Sequence, residues 1–216
     1  GRISAMAQPP AERSLDITLD CFDEMGVPCQ KHLILELMGR NSNLILTGAD
    51  GRIIDCLRRV DFEMSQLRQV LPGLFYRPAP GQDKRIPFQL TQEELLALLH
   101  DTHDPKRPDQ WLLDHFAGIS PLVARELCYG FSGQTDGDIL DLDPDAFAAY
   151  LFEEFQKTQR KPWLLTLEGK PKDFSYRPIY QYGGYMELSE SESFSRLLDQ
   201  FYSQRESNER MRQKSQ

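Results

Sequence analysis

The chain has 216 residues, of which 40% are hydrophobic and 27% are charged, and its formal net charge is −8. These values are typical of a globular chain with enough residues for one large domain or two small ones. An acidic total argues against general nucleic-acid binding through bulk charge. Residues 133–156 contain seven acidic residues and no Lys or Arg, so this segment alone accounts for −7 of the net charge of −8. A local basic surface elsewhere is therefore compatible with the composition.

Membrane spans, export and metal binding find no support in the sequence. No apolar run approaches the roughly 20 residues that cross a bilayer, and the N-terminus lacks the apolar core of a signal peptide. The four cysteines form no C-x-x-C pair and stand at Cys21, Cys29, Cys56 and Cys128. We expect reduced, mostly buried thiols in a cytoplasmic protein, without disulfides, a metal or a cofactor.

The first part of the chain, residues 1–90, is predicted to be rich in β-strands. Alternation of apolar and polar residues places Leu15, Ile17 and Leu19 on one strand face. Strands are predicted at residues 13–21, 32–38, 43–47 and 52–60. Turn residues between them favour an antiparallel meander. The following residues, 61–90, are rich in Pro and Gly, and we expect an irregular and functional segment with a short helical turn at 63–70.

Helices are predicted across residues 91–160. Thr91 and Glu94 form a capping box, a second helix follows Pro108, and Asp143 with Pro144 begins another. Strands are expected to return within residues 161–188, at 162–169 and 174–182. Ser189 and Glu192 are predicted to cap a final helix in residues 189–216. After residue 203 this helix becomes polar, with Met211 as its one apolar residue, which is typical of a truncated coiled coil in a fragment of a longer protein.

A helix–break–helix pattern surrounds Gly118, Ile119 and Ser120, and Arg125 follows one turn into the later helix. The pattern is similar to a helix-hairpin-helix, in which backbone N–H groups bind a nucleic-acid phosphate. An ordinary corner between two packed helices explains it equally well. These four residues are therefore weaker candidates for phosphate contact.

No catalytic constellation is recognisable. His100 and His103 have H-x-x-H spacing at a predicted helix end, but no further ligands are evident, so we expect a solvated helix terminus. There is no pattern of nucleophile, base and orienting group, and no phosphate-binding Gly-rich loop. The sequence thus predicts a binding module and gives no positive reason to expect an enzyme.

The stretch Met38–Asn43, with the sequence MGRNSN, stands between two predicted strands. Gly39 permits a tight turn, and the Arg40 guanidinium suits phosphate or a base face. Asn41, Ser42 and Asn43 add donors and acceptors of the kind that bind RNA. A polar hairpin tip whose side chains satisfy their own backbone is the alternative. Arg58 and Arg59 could extend this surface by phosphate contacts, but a solvated strand edge is the alternative, and both are left outside the candidate site.

The segment from residue 36 to residue 76 resembles the signature of the NFACT family, the bacterial group called RqcH or, in older naming, fibronectin-binding protein A. The matching residues are Glu36, Leu37, Met38, Gly39, Arg40, Ser42, Asn43, Arg68, Pro72, Gly73 and Tyr76. Asn41 stands where the family usually has His. The resemblance continues through residues 118–127 and the final helix, so it covers nearly the whole chain.

The resemblance implies an α+β fold. It consists of an antiparallel β-sandwich similar to the N-terminal domain of formamidopyrimidine-DNA glycosylase, together with a helical helix-hairpin-helix region. It also implies a function in ribosome quality control. The full-length factors bind large ribosomal subunits obstructed by stalled peptidyl-tRNA and recruit tRNA, alanyl-tRNA in bacteria, for untemplated C-terminal tailing of the nascent chain.

The implied RNA contacts combine an acid–Arg pair before an early strand with the E-L-M-G segment. The pair appears here as Glu12 and Arg13, with Glu where the family has Asp. The complete implied set is Glu12, Arg13, Glu36, Leu37, Met38, Gly39, Arg40, Asn41, Ser42 and Asn43. Arg68 joins the weaker phosphate candidates.

Two other functions compete with this reading. The older family name suggests an adhesin that binds fibronectin, although the chain shows no export signal, anchor or disulfide framework. The glycosylase-like fold suggests a DNA-processing enzyme, but a shared fold does not carry function, and the glycosylase nucleophile has no counterpart here.

Overall fold

The structure is a computed structural model that describes residues 1–81 and 83–214, without the side chains of residues 206–214. It contains two compact units, Gly1–Lys84 and Arg85–Gln216. Both contain antiparallel sheets, and the second also contains helices, which confirms the α+β class. The packing of sheet on sheet in a sandwich remains a prediction. Within the described ranges, no helix is both long and apolar enough to cross a membrane.

The first unit is an antiparallel meander of five neighbouring strands. They are β1 (Arg2–Ala7), β2 (Ser14–Phe22), β3 (Pro28–Glu36), β4 (Asn43–Gly48) and β5 (Ile53–Cys56). A single 3₁₀ turn, Gly39–Asn41, joins β3 to β4. The four predicted strands are present as β2 to β5, but β3 spans Pro28–Glu36 rather than 32–38, and β5 ends at Cys56 rather than residue 60. It ends there because the peptide groups of Arg58 hydrogen-bond to the Asn43 side chain instead of to a strand.

One face of this sheet forms the core of the first unit. Ile34, Ile45 and Ile53 are buried there against Val70. Val70 belongs to an irregular segment, which pairs back on itself through the Val60–Val70 bridge. The helical turn expected at 63–70 is displaced to residues 61–65, where the Ser65 N–H donates to the Asp61 carbonyl at 3.0 Å. It does not continue, because the Val60–Val70 bridge requires extended backbone at residue 70. Residues 57–81 form no regular element, but their side chains, Val70 in particular, cover the core face of the sheet.

The opposite face of the sheet is also apolar. Ile17 pairs with Leu33, which pairs with Leu46, so all three share this face. These side chains are half-buried. The core face instead carries Asp16, which is directly opposite Ile34. The alternation in β2 was therefore correctly predicted, and its polar residues lie on the same face as the core.

In its described residues, the second unit combines five α-helices with a three-stranded sheet. The helices are α1 (Gln92–His100), α2 (Pro108–His115), α3 (Pro121–Ser132), α4 (Pro144–Gln156) and α5 (Phe194–Lys214). The strands are β6 (Trp163–Leu167), β7 (Lys170–Ser175) and β8 (Glu187–Glu190), with β6 in the centre. The Thr91–Glu94 capping box and the Asp143 cap before Pro144 are confirmed.

Two predicted elements at the end of the second unit were wrong. The strand expected over 174–182 ends at Ser175, because the Glu126 carboxylate binds the N–H groups of Tyr180 and Gln181. Ser189 lies in the unpredicted strand β8, opposite Leu164, and so does not cap α5. The cap is Ser193, whose hydroxyl accepts a hydrogen bond from the N–H of Arg196 at 3.2 Å. The α5 backbone stays helical to Lys214, but the prediction for Met211 lies outside the described side chains.

The helices of the second unit enclose its main core. Trp111 and Phe116 of the α2 region pack with Phe147 and Leu151 of α4, all almost fully buried. The Trp111 indole N–H donates to the Thr102 hydroxyl at 2.8 Å, so its polar atom is satisfied. A smaller cluster of Leu164, Leu197 and Phe201 fixes α5 on the sheet.

The cysteines are free thiols, but the prediction that most are buried was wrong. Only Cys128 is buried, and the other three are half-buried. Cys21 and Cys29 are directly opposite each other on β2 and β3, with 3.7 Å between their sulfur atoms. They lie next to the exposed turn that joins β2 to β3, which explains their partial exposure.

A strained turn in the second unit generates a stability prediction. Glu168 and Gly169 form the two-residue loop between β6 and β7, and both have positive φ, 53° and 70°. Such a hairpin turn favours Asn-Gly, because Asn tolerates the left-handed conformation better than other side chains. We expect Glu168→Asn to raise the free energy of unfolding by up to about 1 kcal/mol, measured by urea denaturation. Glu168→Ala is the matched control and should gain no such stability; equal gains in both variants would contradict the explanation.

The buried Glu126 carboxyl generates a pH prediction. Burial raises its pKa, against the opposing effect of the N–H groups of Tyr180 and Gln181. Its contribution to stability is then full below the unfolded value of about 4.3 and is lost as the pH rises through the folded value. We expect the unfolding free energy of the wild type, relative to Glu126→Gln, to fall between about pH 4 and pH 7. Urea denaturation of both proteins at the two ends of this pH range tests the prediction. A rise in the unfolding free energy of the wild type relative to Glu126→Gln would contradict it.

Candidate nucleic-acid interface

The MGRNSN segment forms a closed loop between β3 and β4. The Ser42 hydroxyl accepts a hydrogen bond from the Met38 N–H at 3.0 Å, and the Ser42 N–H donates to the Gly39 carbonyl at 3.0 Å. Gly39 has a φ of 55°, a left-handed conformation that favours glycine. These bonds give the tip, Arg40 and Asn41, a defined backbone while leaving both residues exposed.

A buried ion pair supports the loop from below. Glu36, the last residue of β3, is only 1% exposed. Both carboxylate oxygens accept hydrogen bonds from the Arg68 guanidinium, at 2.5 and 3.1 Å. The Arg68 Nε–H also donates to the Arg77 carbonyl at 2.6 Å. Arg68 is thereby occupied inside the protein, although the sequence offered it as a weaker phosphate contact.

Tyr76 completes this buried group. Its hydroxyl donates to a Glu36 carboxylate oxygen at 2.9 Å, and the Arg68 guanidinium lies 5.4 Å from the centre of its ring. Burial, followed by the hydrogen bond to Glu36, raises the pKa of Tyr76. The phenol therefore stays protonated and remains a donor to the carboxylate.

Asn43 fixes the other side of the loop. It is 4% exposed, and its amide forms two hydrogen bonds with the backbone of Arg58. The Asn43 Nδ2–H donates to the Arg58 carbonyl at 2.8 Å, and the Arg58 N–H donates to Oδ1 at 2.9 Å. The Arg58 side chain reaches back to donate to the Arg40 carbonyl and to Asn41 Oδ1.

The interpretation of Arg58 as a solvated strand edge was therefore wrong. Its partners are 15 to 18 residues away in the sequence, and no local pattern indicates them. Sequence reasoning missed Arg58 because only the return of the chain beside the loop creates these contacts.

The structure brings the second predicted segment to the base of the loop. The Leu37 N–H donates to the Arg13 carbonyl at 2.8 Å. Glu12, Arg13 and Leu37 are all exposed. Two stretches more than 20 residues apart thus meet at one end of the sheet, and the Arg13 and Arg40 guanidinium groups have no recorded partner among the described residues.

The candidate residues separate into two layers. The outer layer is exposed and contains Glu12, Arg13, Leu37, Gly39, Arg40 and Asn41. Met38 and Ser42 are half-buried, whereas Glu36 and Asn43 are buried. A ligand can reach the outer layer directly, while Glu36 and Asn43 act through the positions they impose on the loop.

The second group of candidates lies in the second unit. Gly118 has a φ of 74°, and the Ser120 hydroxyl caps α3 by accepting from the Val123 N–H at 3.3 Å. The Arg125 guanidinium is half-buried and donates to Gln181 Oε1 and the Tyr182 hydroxyl, at 3.3 and 3.5 Å. Ile119 packs against the helical core. Phosphate contact at this turn remains a prediction, as does its helix-hairpin-helix character.

No group of residues in the described part of the chain is arranged to hold a metal ion. The donors at the loop are guanidinium groups and an amide, and these bind anions and hydrogen-bond acceptors. The arrangement is therefore suited to recognition of a polyanion.

Comparison with known protein families gives one match over the whole chain. The family model for the NFACT N-terminal and middle domains matches residues 1–216. A relative from Bacillus subtilis named Rqc2 homolog RqcH is 32% identical over 217 aligned residues, which take in all of this chain and 36% of that protein. The chain thus spans about a third of the length of this curated relative.

Solved structures give a consistent fold. The fibrinogen-binding protein from Staphylococcus aureus has a TM-score of 0.73 and 27% identity, over 93% of this chain and 70% of that one. The N-terminal part of a fibronectin/fibrinogen-binding protein from Streptococcus suis has a TM-score of 0.70 and 26% identity, over 93% and 67% of the two chains.

The buried ion pair generates a stability prediction. Glu36→Ala leaves the Arg68 guanidinium buried without its counter-charge, and we expect a loss of about 3–5 kcal/mol in the free energy of unfolding. Arg13→Ala is the control, since an exposed and unpaired side chain should change stability by less than about 0.5 kcal/mol. Chemical denaturation compares the two variants. A loss below about 1 kcal/mol for Glu36→Ala would show that the pair does not hold this part of the fold together.

Proposed function

This chain belongs to the NFACT family, and from this premise we propose that it is the tRNA- and ribosome-binding N-terminal part of a ribosome quality-control factor. It acts as a binding module rather than as an enzyme. Its RNA contact is the outer layer of the loop end, with Arg13 and Arg40 as the phosphate-binding groups.

The observation that carries the proposal is the junction between Arg13 and Leu37. That backbone hydrogen bond places the acid–Arg segment beside the MGRNSN loop, and each segment presents a guanidinium without a recorded partner. Guanidinium groups bind phosphate through paired N–H donors, and the exposed Leu37 can pack against a ribose or a base. Because the chain as a whole has a net charge of −8, its attraction to phosphate must come from these local guanidinium groups and not from the total charge.

The role of the complete protein follows from the relative named Rqc2 homolog RqcH. We propose that the full-length protein works in the cytoplasm on large ribosomal subunits that carry stalled peptidyl-tRNA. There it recruits tRNA, alanyl-tRNA in particular, for C-terminal tailing of the nascent chain. The present chain supplies one RNA-binding surface of that larger protein.

Binding to an extracellular matrix protein is the second candidate function. The names of two structural neighbours, a fibrinogen-binding and a fibronectin/fibrinogen-binding protein, favour it. Such binding does not require unpaired guanidinium groups at the loop. The two candidates therefore differ in their response to Arg13 and Arg40 substitutions.

A filter-binding titration with bulk tRNA tests the proposal. We expect saturable binding that weakens as salt rises, because phosphate contacts release counterions. The double variant Arg13→Ala, Arg40→Ala should lose this binding and keep the melting temperature of the wild type, because both side chains are exposed.

Duplex DNA and immobilised fibronectin serve as the comparison ligands in the same titration. Binding to fibronectin without binding to tRNA would favour the second candidate function. A large drop in the melting temperature of the double variant would show instead that Arg13 and Arg40 are structural.

A further inference from the structure

The orientation of one amide at the loop tip defines what the tip can recognise. Asn41 is exposed, and its Oδ1 accepts a hydrogen bond from the Arg58 guanidinium at 3.2 Å. A guanidinium has N–H donors and no acceptor, so the oxygen of the amide must face Arg58. The Asn41 NH2 group is consequently turned outward, and no partner for it is recorded among the described residues.

Arg58 is itself held in position from both ends. The two Asn43 hydrogen bonds, at 2.8 and 2.9 Å, fix its backbone, and Asn43 is buried. Its guanidinium also donates to the Arg40 carbonyl, which ties the tip backbone to the same group. The direction of the Asn41 amide is thus set by a chain of contacts that ends in the core.

The outward surface of the tip therefore consists of donors. Arg40 presents a guanidinium and Asn41 presents an NH2 group. An Asn side chain reads adenine by donating and accepting at the same time, through both amide atoms along one edge. With Oδ1 turned toward Arg58, that mode of base reading is closed. A donor-only tip fits groups that only accept hydrogen bonds, which are the phosphodiester oxygens of a nucleic-acid backbone and, among the bases, the O6 and N7 atoms of guanine. Phosphate is present at every nucleotide, whereas those two acceptors occur only at guanine.

We infer that the Arg40–Asn41 tip binds backbone phosphate of RNA rather than a base edge, and that Arg58 is the positioning residue that turns the Asn41 amide outward. The inference rests on the proposed function and adds its ligand chemistry. It predicts that recognition at this tip is insensitive to base identity. It also gives Arg58 an indirect role, since its guanidinium is directed at the loop.

The decisive variant is Asn41→Asp, because it keeps the shape and the oxygen that faces Arg58 but replaces the NH2 donors with a second carboxylate oxygen. We expect at least a tenfold loss of affinity for bulk tRNA, measured by filter binding at low salt. Arg2→Ala is the matched control. Like Asn41→Asp, this variant makes the net charge more negative by one. Arg2 is exposed and lies opposite Asp20, at the end of β2 that is far from the loop. We expect Arg2→Ala to bind tRNA within about twofold of the wild type.

Arg58 is tested by a pair of variants. Arg58→Ala frees the Asn41 amide and should weaken tRNA binding several-fold, whereas Arg58→Lys keeps a donor for Asn41 Oδ1 and should recover most of the affinity. If Arg58 only stabilised the fold, the loss of tRNA affinity in Arg58→Ala would be accompanied by a lower melting temperature. Loss of affinity in Arg58→Ala and its recovery in Arg58→Lys, both at the melting temperature of the wild type, therefore indicate a positioning role. Circular dichroism and thermal melting identify any variant that fails to fold, and Asn41→Asp, at an exposed position, remains the independent test.

Base identity is tested with poly(A), poly(U), poly(C) and poly(I) of equal length, since hypoxanthine carries the O6 and N7 acceptors of guanine. Similar affinities for the four polymers, all reduced alike by Asn41→Asp, support phosphate recognition. A preference for poly(A) or poly(I) that disappears in Asn41→Asp would overturn the inference in favour of base reading. Wild-type affinity in both Asn41→Asp and Arg58→Ala would also overturn it while leaving the proposed function intact. Absence of RNA binding by the wild type would remove both.

Discussion

The buried pair of Glu36 and Arg68 is the constraint on which the first unit depends. A carboxylate that is 1% exposed must be matched by charge and hydrogen bonds, and both partners of Glu36 come from the irregular segment, 32 and 40 residues further along the chain. Residues 57–81 contain no regular helix or strand. The pair defines their path together with the Val60–Val70 bridge and with backbone hydrogen bonds from residues 73–76 to Gly51 and Ile53, and Val70 then reaches the core face of the sheet.

The alternation of side chains along β3 and β4 explains why residues 36–43 include both buried and exposed polar side chains. Glu36 and Asn43 are directly opposite each other on the core face, at the last rung between β3 and β4. The residues between them leave the sheet, so those at the tip of the loop, Gly39, Arg40 and Asn41, are exposed. The buried pair of positions therefore anchors the loop, and the exposed positions are free to contact a ligand. Rigid support of this kind limits the entropy that the loop would lose on binding.

The acidic stretch of the second unit has structural uses that its composition conceals. Asp138 and Asp143 accept hydrogen bonds from backbone N–H groups at the starts of helical turns. Glu154 binds both Arg177 and Lys157, and these two cations lower its pKa against the effect of burial. Much of the negative charge is thus committed to caps and ion pairs. Net charge alone is for this reason a poor guide to what the first unit can bind.

Local rules of sequence determined the α+β class, the meander and the helix caps. Alternation in β2 and the Thr91 and Asp143 caps depend only on neighbouring residues, and all three were predictable. Resemblance to the family added the candidate residues at the loop. By contrast, distant side chains decided where β5 ends, at Cys56, and where β7 ends, at Ser175. Pairing of Ser189 with the distant strand β6 moved the α5 cap to Ser193.

The same division holds at the candidate site. The residue types of the MGRNSN loop indicated a surface rich in donors, but they did not distinguish exposed Arg40 from buried Asn43. Nor did they indicate that Arg58 supports the loop. Those distinctions depend on hydrogen bonds between residues 15 or more positions apart, and such pairings exist only once the chain has folded. Sequence determined which chemical groups were available, and tertiary structure decided which of them face solvent.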